Sequence, residues 1–236
     1  MVHSERISVS QLLKSLHDGF GENLKSINSN FLDHLDRIDL QSRVISEIRE
    51  NLLSDYCTSV FHKTICNELL DEVFSDFSLA LYLCASGLIV PSQMSTRRAF
   101  EIGLATIYLW DLPHCYWGWK NKDEDLSFSA MVSHLNSTGY LEYLKQAHEG
   151  IAVEPICRQR DFQEIYRELS NTAHGKTSGL PPLSPARFSL GESQLYVIRQ
   201  FELIYRAQSA ILRLIFGRFA QLENKVQEAM PQILRK

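Results

Sequence analysis

A short run of the chain places an arginine, an amide and a histidine where they could act together on a phosphodiester. Arg167 and His174 stand seven positions apart, and Asn171 lies between them. At about 100° per residue in an α-helix, these three side chains fall within roughly 60° of one another. An imidazole can transfer a proton near neutral pH, and a guanidinium holds a phosphate through forked donors. The spacing therefore indicates proton transfer by His174 beside a phosphate held by Arg167.

The same segment also has an apolar face that would bury it. The apolar residues at helical spacing on the other side of the predicted helix are Phe162, Ile165, Tyr166, Leu169 and Ala173. Many amphipathic helices carry an arginine and a histidine in register by chance, because such a motif is short. In a second interpretation, Arg167 forms an ion pair and His174 caps the helix end before Gly175, where the helix dipole favours a protonated imidazole.

The run 166–175 resembles a signature of a known family of helical domains. Arg167 followed by His174 is similar to the R-x(4 to 6)-H motif of the HEPN superfamily, and the wider run is similar to its branches linked to phage defence and abortive infection. The upstream segment 97–101, Arg-Arg-Ala-Phe-Glu, fits the same resemblance. The resemblance covers roughly residues 79–219, and the Arg/His pair is its specific motif.

This resemblance implies a HEPN-like helical bundle and a metal-independent endoribonuclease, with no cofactor. In that reaction the 2'-hydroxyl attacks the adjacent phosphate and leaves a 2',3'-cyclic phosphate and a 5'-hydroxyl. Arg167 and His174 are the expected catalytic residues: Arg167 neutralises charge on the phosphate, and His174 acts as general base or acid. One histidine does not easily serve both steps, so we expect a homodimer that brings two copies of His174 together. A role in antiviral defence or as a toxin, restrained by a regulatory protein partner, follows from the same resemblance.

Three neighbouring residues are predicted to support RNA binding. Asn171 lies between the catalytic pair, Lys176 follows the helix, and Glu168 comes directly after Arg167, where many active members of the family carry Asn, Asp or His. A carboxylate repels a phosphate if it faces the site, although Glu168 is about 100° around the helix from Arg167. The alternative function is therefore a non-catalytic helical module that binds a protein partner or RNA through the same face.

The composition is that of an ordinary globular protein. Of its 236 residues, 44% are hydrophobic and 22% are charged, and the formal net charge of -4 argues against a protein that coats nucleic acid through bulk charge. Five cysteines without a C-x-x-C pair favour free thiols in the cytoplasm over a disulfide framework. The sequence lacks a signal-peptide start and an apolar run of about 20 residues, so we expect a cytoplasmic protein without membrane spans. It also lacks the Walker, Rossmann, H-E-x-x-H and G-x-S-x-G patterns of nucleotide, metal and serine-hydrolase sites.

Helical periodicity predicts an all-α chain with long N-terminal and C-terminal helices. We expect one domain over residues 1–236, in which 1–73 form an N-terminal helical extension and 74–230 form the bundle core. Helices are predicted over residues 9–28, 44–73, 128–135, 139–148 and 192–230 and after Pro155, and the pattern over 44–73 is one helix or two joined near 57–59. Loops are predicted over 114–125 and over 176–191, the second beside the Arg/His motif.

Polar residues mark two further features. Ser75 with Asp76, and Ser95, are predicted to cap the starts of two helices. Arg199, Arg206 and Arg213 recur every seven residues on the last helix. This row is either a solvated or dimer-facing surface or a track for an RNA backbone, and we favour the former.

Overall fold

The computed structural model describes residues 8–122, 124–147, 155–174, 176 and 190–230. In these residues the regular secondary structure is helical throughout, which confirms the predicted all-α class. The helices are α1 (Val9–Asn30), α2 (Leu32–Asn51), α3 (Val60–Ile65), α4 (Asp71–Ala85), α5 (Ile89–Asp111), α6 (Pro113–Lys122), α7 (Phe128–Leu135), α8 (Thr138–Ala147), α9 (Gln159–Ala173), α10 (Leu190–Arg218) and α11 (Ala220–Ala229). One π-helical turn, Leu52–Tyr56, follows α2, and a second, Cys66–Leu70, directly precedes α4.

A hairpin of α4 and α5, together with α10, forms the centre of the bundle. The hairpin turns at Gly87, whose φ of 85° suits a residue without a Cβ. Helix α10 packs against α5, α4 and α2, while α9 packs against α5 and α10, and α7 packs against α5. One continuous apolar core joins these elements, and it includes Ile27 of α1 and Ile45 of α2. Residues of the predicted N-terminal extension therefore share the core of the bundle.

The predicted caps Ser75, Asp76 and Ser95 are wrong, because all three residues lie inside helices. The polar groups of Asp76 and Ser95 instead join the two arms of the hairpin. The Ser95 hydroxyl donates to the carbonyl oxygen of Asp76 at 2.8 Å, and the Asp76 carboxylate accepts from Arg98 at 2.5 Å. A serine inside a helix can satisfy its hydroxyl on the backbone of a helix packed closely against it, so its presence alone does not mark a helix start.

Several predicted boundaries change, among them the start of the helix predicted from residue 44, since α2 begins at Leu32, and others hold. The predicted loop over 114–125 is largely helix α6, which begins at Pro113, a residue favoured in the first helical turn because it lacks a backbone N–H. The predicted helix over 192–230 is broken at Phe219, where φ is -125° and ψ is 71°. The helices predicted over 9–28, 128–135 and 139–148 are confirmed within two residues at each described end, and the pattern over 44–73 is interrupted near residues 57–59 as one alternative proposed.

None of the helices in the described residues is both long enough and apolar enough to cross a membrane.

A buried ion pair joins the ends of α5 and α10. Arg218 donates from Nη2 to Asp111 Oδ1 at 2.7 Å and from Nε to Asp111 Oδ2 at 2.8 Å. Their side chains are only 4% and 5% exposed. The Tyr140 hydroxyl of α8 donates to the same carboxylate at 2.8 Å, and burial raises the pKa of Tyr140. Three helices are therefore held together by one fully engaged carboxylate.

Gly103 marks a close approach of α5 to α10. A Cβ at this position would lie 2.8 Å from the Cδ1 and Cγ1 atoms of Ile211, whose side chain is buried. We expect Gly103→Ala to lower the free energy of unfolding by about 1–3 kcal/mol, because the buried isoleucine cannot move aside without strain.

Gly21→Ala is the matched control, because a Cβ there meets nothing within 4 Å. Alanine in the interior of α1 should raise stability by about 0.5–1 kcal/mol. Urea unfolding of both variants gives the comparison. Equal stability of the two variants would contradict the close packing at Gly103.

Candidate functional site

Helix α9 is amphipathic, and its apolar side fixes the orientation of its polar side. Phe162, Ile165 and Leu169 are buried, while Tyr166 and Ala173 are half-buried. Phe162, Ile165 and Leu169 belong to the core and Tyr166 packs against it, where α9 meets α5 and α10. The predicted apolar face is therefore confirmed.

The end of α9 lies at the candidate catalytic histidine. The helix ends at Ala173, and the backbone N–H of His174 donates to the carbonyl oxygen of Ser170 at 3.1 Å. The N–H of Lys176 donates to the carbonyl oxygen of Asn171 at 2.8 Å, which turns the chain back against the last helical turn. His174 and Lys176 are thus held beside Asn171 by backbone bonds. Gly175 lies outside the described residues, as does most of the loop predicted over 176–191.

A groove of about 500 Å³ runs between α9 and α7. Arg167, Asn171 and His174 line it from α9, and Lys176 lines it just beyond the helix. The remaining lining residues are Gln163, Tyr166 and Ser170 of α9, and Ser127, Phe128, Ser129 and Val132 at and within α7. Four of the five residues that the sequence placed at the site therefore lie in one groove.

The basic side chains of this groove have no acidic partner in the described part of the chain. Arg167, His174 and Lys176 are exposed, and within that part none of their side chains forms a hydrogen bond or an ion pair. No acidic residue is among the described residues that line the groove. Such a groove can accept an anion without first breaking an internal ion pair, and its guanidinium and imidazole can donate to phosphate oxygens.

Glu168, predicted as a supporting residue, lies on another side of α9. Its carboxylate forms an ion pair with Arg206 of α10 at 3.0 Å and does not line the groove. About two helical turns earlier on α9, the Asp161 carboxylate forms an ion pair with Arg213 at 3.4 Å. Two members of the arginine row on α10 therefore pair with α9, while Arg199 is exposed. Glu168, the acidic residue beside Arg167, is therefore paired outside the groove and adds no negative charge to it.

A stack of side chains holds the walls of the groove in place. The rings of Tyr166 and Phe128 are stacked with centroids 3.9 Å apart and planes at 8°. The Arg97 guanidinium of α5 lies over the Tyr166 ring, 5.2 Å from its centroid, and donates to the Tyr166 hydroxyl at 3.2 Å. Glu101 fixes Arg97 through an ion pair of 2.9 Å. Arg97 therefore ties α9 to α5 behind the groove without lining it.

The contribution of α7 to the groove was not predicted from the sequence. Ser127, Phe128 and Ser129 precede α9 by thirty or more positions, and no spacing rule brings them beside Arg167. The local sequence signal for α7 was Ser127, because serine is favoured at the start of a helix. In the structure its hydroxyl accepts from the N–H of Ala130 at 3.4 Å.

Metal binding finds no support in the described residues, which contain no group of three or more His, Cys, Asp or Glu side chains able to hold one ion. His62 and Cys66, which lie four apart on the chain, are engaged separately. The ring of His62 stacks on Trp110 with centroids 4.2 Å apart, and its Nε2 lies 3.2 Å from the Trp110 carbonyl oxygen. Cys66 instead contacts Cys57.

Comparisons with known protein families, with curated proteins and with solved structures find no match to this chain. The resemblance to HEPN domains stays a prediction that rests on the residues of α9. The groove itself presents a guanidinium, an imidazole, an amide and an ammonium group together, which is a set suited to binding and transferring protons at a phosphodiester.

Proposed function

We propose that the groove between α7 and α9 binds RNA and cleaves it without a metal ion, as in HEPN-like endoribonucleases. One observation carries this proposal: Arg167, His174 and Lys176 line a single groove whose described residues include no acidic side chain. Phosphodiesters are the common anions that need both a fixed cation and a group that moves a proton near neutral pH.

In the proposed reaction the RNA supplies its own nucleophile. The 2'-hydroxyl oxygen attacks the adjacent phosphorus, and the bond from phosphorus to the 5'-oxygen breaks. One imidazole takes the proton from the 2'-hydroxyl, and a protonated imidazole gives a proton to the departing 5'-oxygen. Arg167 donates to the non-bridging oxygens as charge builds on them, and the Asn171 amide can donate beside it.

The proposal includes a homodimer, because one groove holds one imidazole. His174 is the histidine that lines it in the described residues. Two copies of the chain would place two imidazoles at one phosphate, one as base and one as acid. A cytoplasmic role in defence or as a toxin, with a protein partner that restrains cleavage, belongs to the same proposal, since uncontrolled RNA cleavage harms the cell that makes it.

A second candidate function is RNA binding without cleavage. It is favoured by the exposure of both Arg167 and His174, since a catalytic histidine usually works in a more enclosed position. A single copy already offers a positive groove for a phosphate backbone. Cleavage requires more, namely a second proton-transfer group that the described residues of one copy do not place in the groove.

The test is incubation of the purified full chain with end-labelled mixed RNA in EDTA, with binding of the same RNA measured in parallel and the dimer state measured by light scattering. RNA fragments with 2',3'-cyclic phosphate ends, produced by a dimer, are the expected result. Binding by a dimer without any fragments would favour the second candidate. Neither binding nor cleavage would overturn both.

A matched variant guards against a contaminating nuclease. Arg160→Ala removes an exposed arginine from the same helix, but Arg160 pairs with Glu164 at 3.0 Å and does not line the groove. We expect this variant to cleave RNA as the wild type does. A contaminant would cleave equally in preparations of every variant, including those altered at Arg167 or His174.

A further inference from the structure

Two of the five free cysteines touch each other. The Sγ atoms of Cys57 and Cys66 lie 3.4 Å apart. The other three thiols, Cys84, Cys115 and Cys157, have no sulfur neighbour in the described residues. The contact between Cys57 and Cys66 therefore separates this pair from the other cysteines.

The pair lies where the backbone is least regular. Cys57 follows the first π-helical turn with φ -78° and ψ 80°, outside any helix, and Cys66 begins the second π-helical turn. A disulfide has a sulfur–sulfur distance of about 2.0 Å, so the two atoms must approach by a further 1–1.5 Å or so. A residue between helices can adjust its backbone by this amount more easily than a residue inside one.

Accessibility gives the two thiols different roles. Cys57 is half-buried, whereas Cys66 is fully buried. A small oxidant can therefore reach Cys57 first, and Cys66 lies behind it as the group that can react with the oxidised sulfur.

We propose that Cys57 and Cys66 form a reversible intrachain disulfide when the protein meets a peroxide. In the first step the Cys57 sulfur attacks one peroxide oxygen, the O–O bond breaks, and Cys57 becomes a sulfenic acid while one water is released. In the second step the Cys66 sulfur attacks the Cys57 sulfur, the S–S bond forms, the S–O bond breaks, and a second water leaves. The two thiols together give two electrons and two protons to the peroxide.

The environment makes the first step the slow one. Burial raises the pKa of the Cys57 thiol, and nearby Lys63 only partly opposes this by favouring the thiolate. Burial also raises the pKa of Cys66. Thiolate is the reactive form, so attack on peroxide is slow. Once Cys57 is oxidised, the neighbouring sulfur at 3.4 Å gives closure of the disulfide an advantage over further oxidation.

The bridge would fix the junction between α2 and α4. This junction already carries an ion pair between Arg49 at the end of α2 and Asp71 at the start of α4, with Nε and Oδ1 2.7 Å apart. A disulfide that closes the short loop from 57 to 66 restricts the unfolded chain, so the oxidised protein should unfold at a higher temperature than the reduced protein.

The experiment treats the intact protein with hydrogen peroxide, blocks the remaining thiols by alkylation and digests it with trypsin without reduction. Lys63 lies between the two cysteines, so cleavage there leaves peptides 50–63 and 64–97 joined only through a disulfide. We expect these linked peptides, their release by dithiothreitol, and a rise in melting temperature on oxidation that dithiothreitol reverses.

Variants identify the partner and supply the control. Peptide 64–97 also contains Cys84, so the linked peptides must disappear in Cys57→Ser and in Cys66→Ser but persist in Cys84→Ser. Cys115→Ser, which alters another half-buried thiol, should behave as the wild type does. A Cys57 sulfinic acid without the bridge, a bridge to a different cysteine, or no bridge under conditions that oxidise Cys57 in the unfolded chain would each overturn the proposal.

Discussion

His174→Ala is expected to lower the rate of RNA cleavage by about 10²–10⁴-fold, the usual contribution of a positioned proton-transfer group. The imidazole is exposed at the end of α9, and its side chain forms no hydrogen bond within the described residues. Its removal should therefore leave the fold intact, which circular dichroism and the melting temperature can verify. Affinity for RNA should fall much less than the rate, because Arg167 and Lys176 remain in the groove.

Arg167→Ala should lower both the rate and the affinity, since this guanidinium is proposed to bind the phosphate and to stabilise charge in the transition state. Arg167→Lys keeps the charge but loses the forked donors, so we expect it to recover binding more than cleavage. Single-turnover rates and RNA affinities at two salt concentrations separate these effects.

Glu168→Gln is the control for the cleavage assay, because Glu168 is the neighbour of Arg167 in the chain but does not line the groove. The side chain stands next to Arg167 in the chain but pairs with Arg206 outside the groove, so its replacement should change the cleavage rate little. Unchanged cleavage in His174→Ala would contradict the assigned catalytic role. A large loss of cleavage in Glu168→Gln, with the fold intact, would mean that α9 presents a different face to RNA.

Arg218→Met is expected to lower the free energy of unfolding by about 3–5 kcal/mol, because it leaves the buried carboxylate of Asp111 without its cation. Both side chains are almost fully buried, and both hydrogen bonds of the Arg218 guanidinium go to Asp111. The Tyr140 hydroxyl would still donate to the carboxylate, but a neutral donor does not compensate a full charge.

The double variant Asp111→Leu with Arg218→Met separates the value of the ion pair from the cost of breaking it. Removing both charges should recover most of the loss, since apolar replacements of a buried pair are often neutral or stabilising. Tyr140→Phe added to this variant removes the hydroxyl that would otherwise lose its acceptor. Urea unfolding measures all three proteins.

An exposed ion pair provides the control for this series. Arg206 and Glu168 have side chains that are 44% and 48% exposed, so Arg206→Ala should cost only about 0–1 kcal/mol. A cost for Arg218→Met no larger than that for Arg206→Ala would contradict the importance of burial at Asp111.

The sequence predicted α9 well because one helix carries both the core contacts and the groove residues. Apolar spacing in a single helix determines which side is buried, so the positions of Arg167 and His174 on the opposite side follow from local geometry. Glu168 shows the limit of that reasoning. Its angle around the helix was predictable, but its pairing with Arg206 depends on how α10 packs beside α9.

Features that depend on contacts between helices were not predicted. Serine is a common helix cap, but the Ser95 hydroxyl donates to the backbone of α4, because α4 and α5 pack against each other. Ser127 and Phe128 complete the groove only because α7 and α9 pack on the same helix, α5. The buried partner of Asp111 stands more than one hundred positions away, at Arg218, beyond the reach of any local pattern.

The two ion pairs between α9 and α10 also set the axial position of α9. Asp161 with Arg213 and Glu168 with Arg206 are spaced by seven residues on each helix, so the helices run antiparallel in a fixed register. A slide of α9 by one turn would separate both pairs at once, while Arg97 resists the same slide from the side of α5. Arg167 and His174 therefore lie on a helix that is held in place by contacts with both α5 and α10. A partner that displaced α10 relative to α5 would therefore break one set of these contacts, either the ion pairs of α9 with α10 or the bond of Arg97 to Tyr166, without touching the groove.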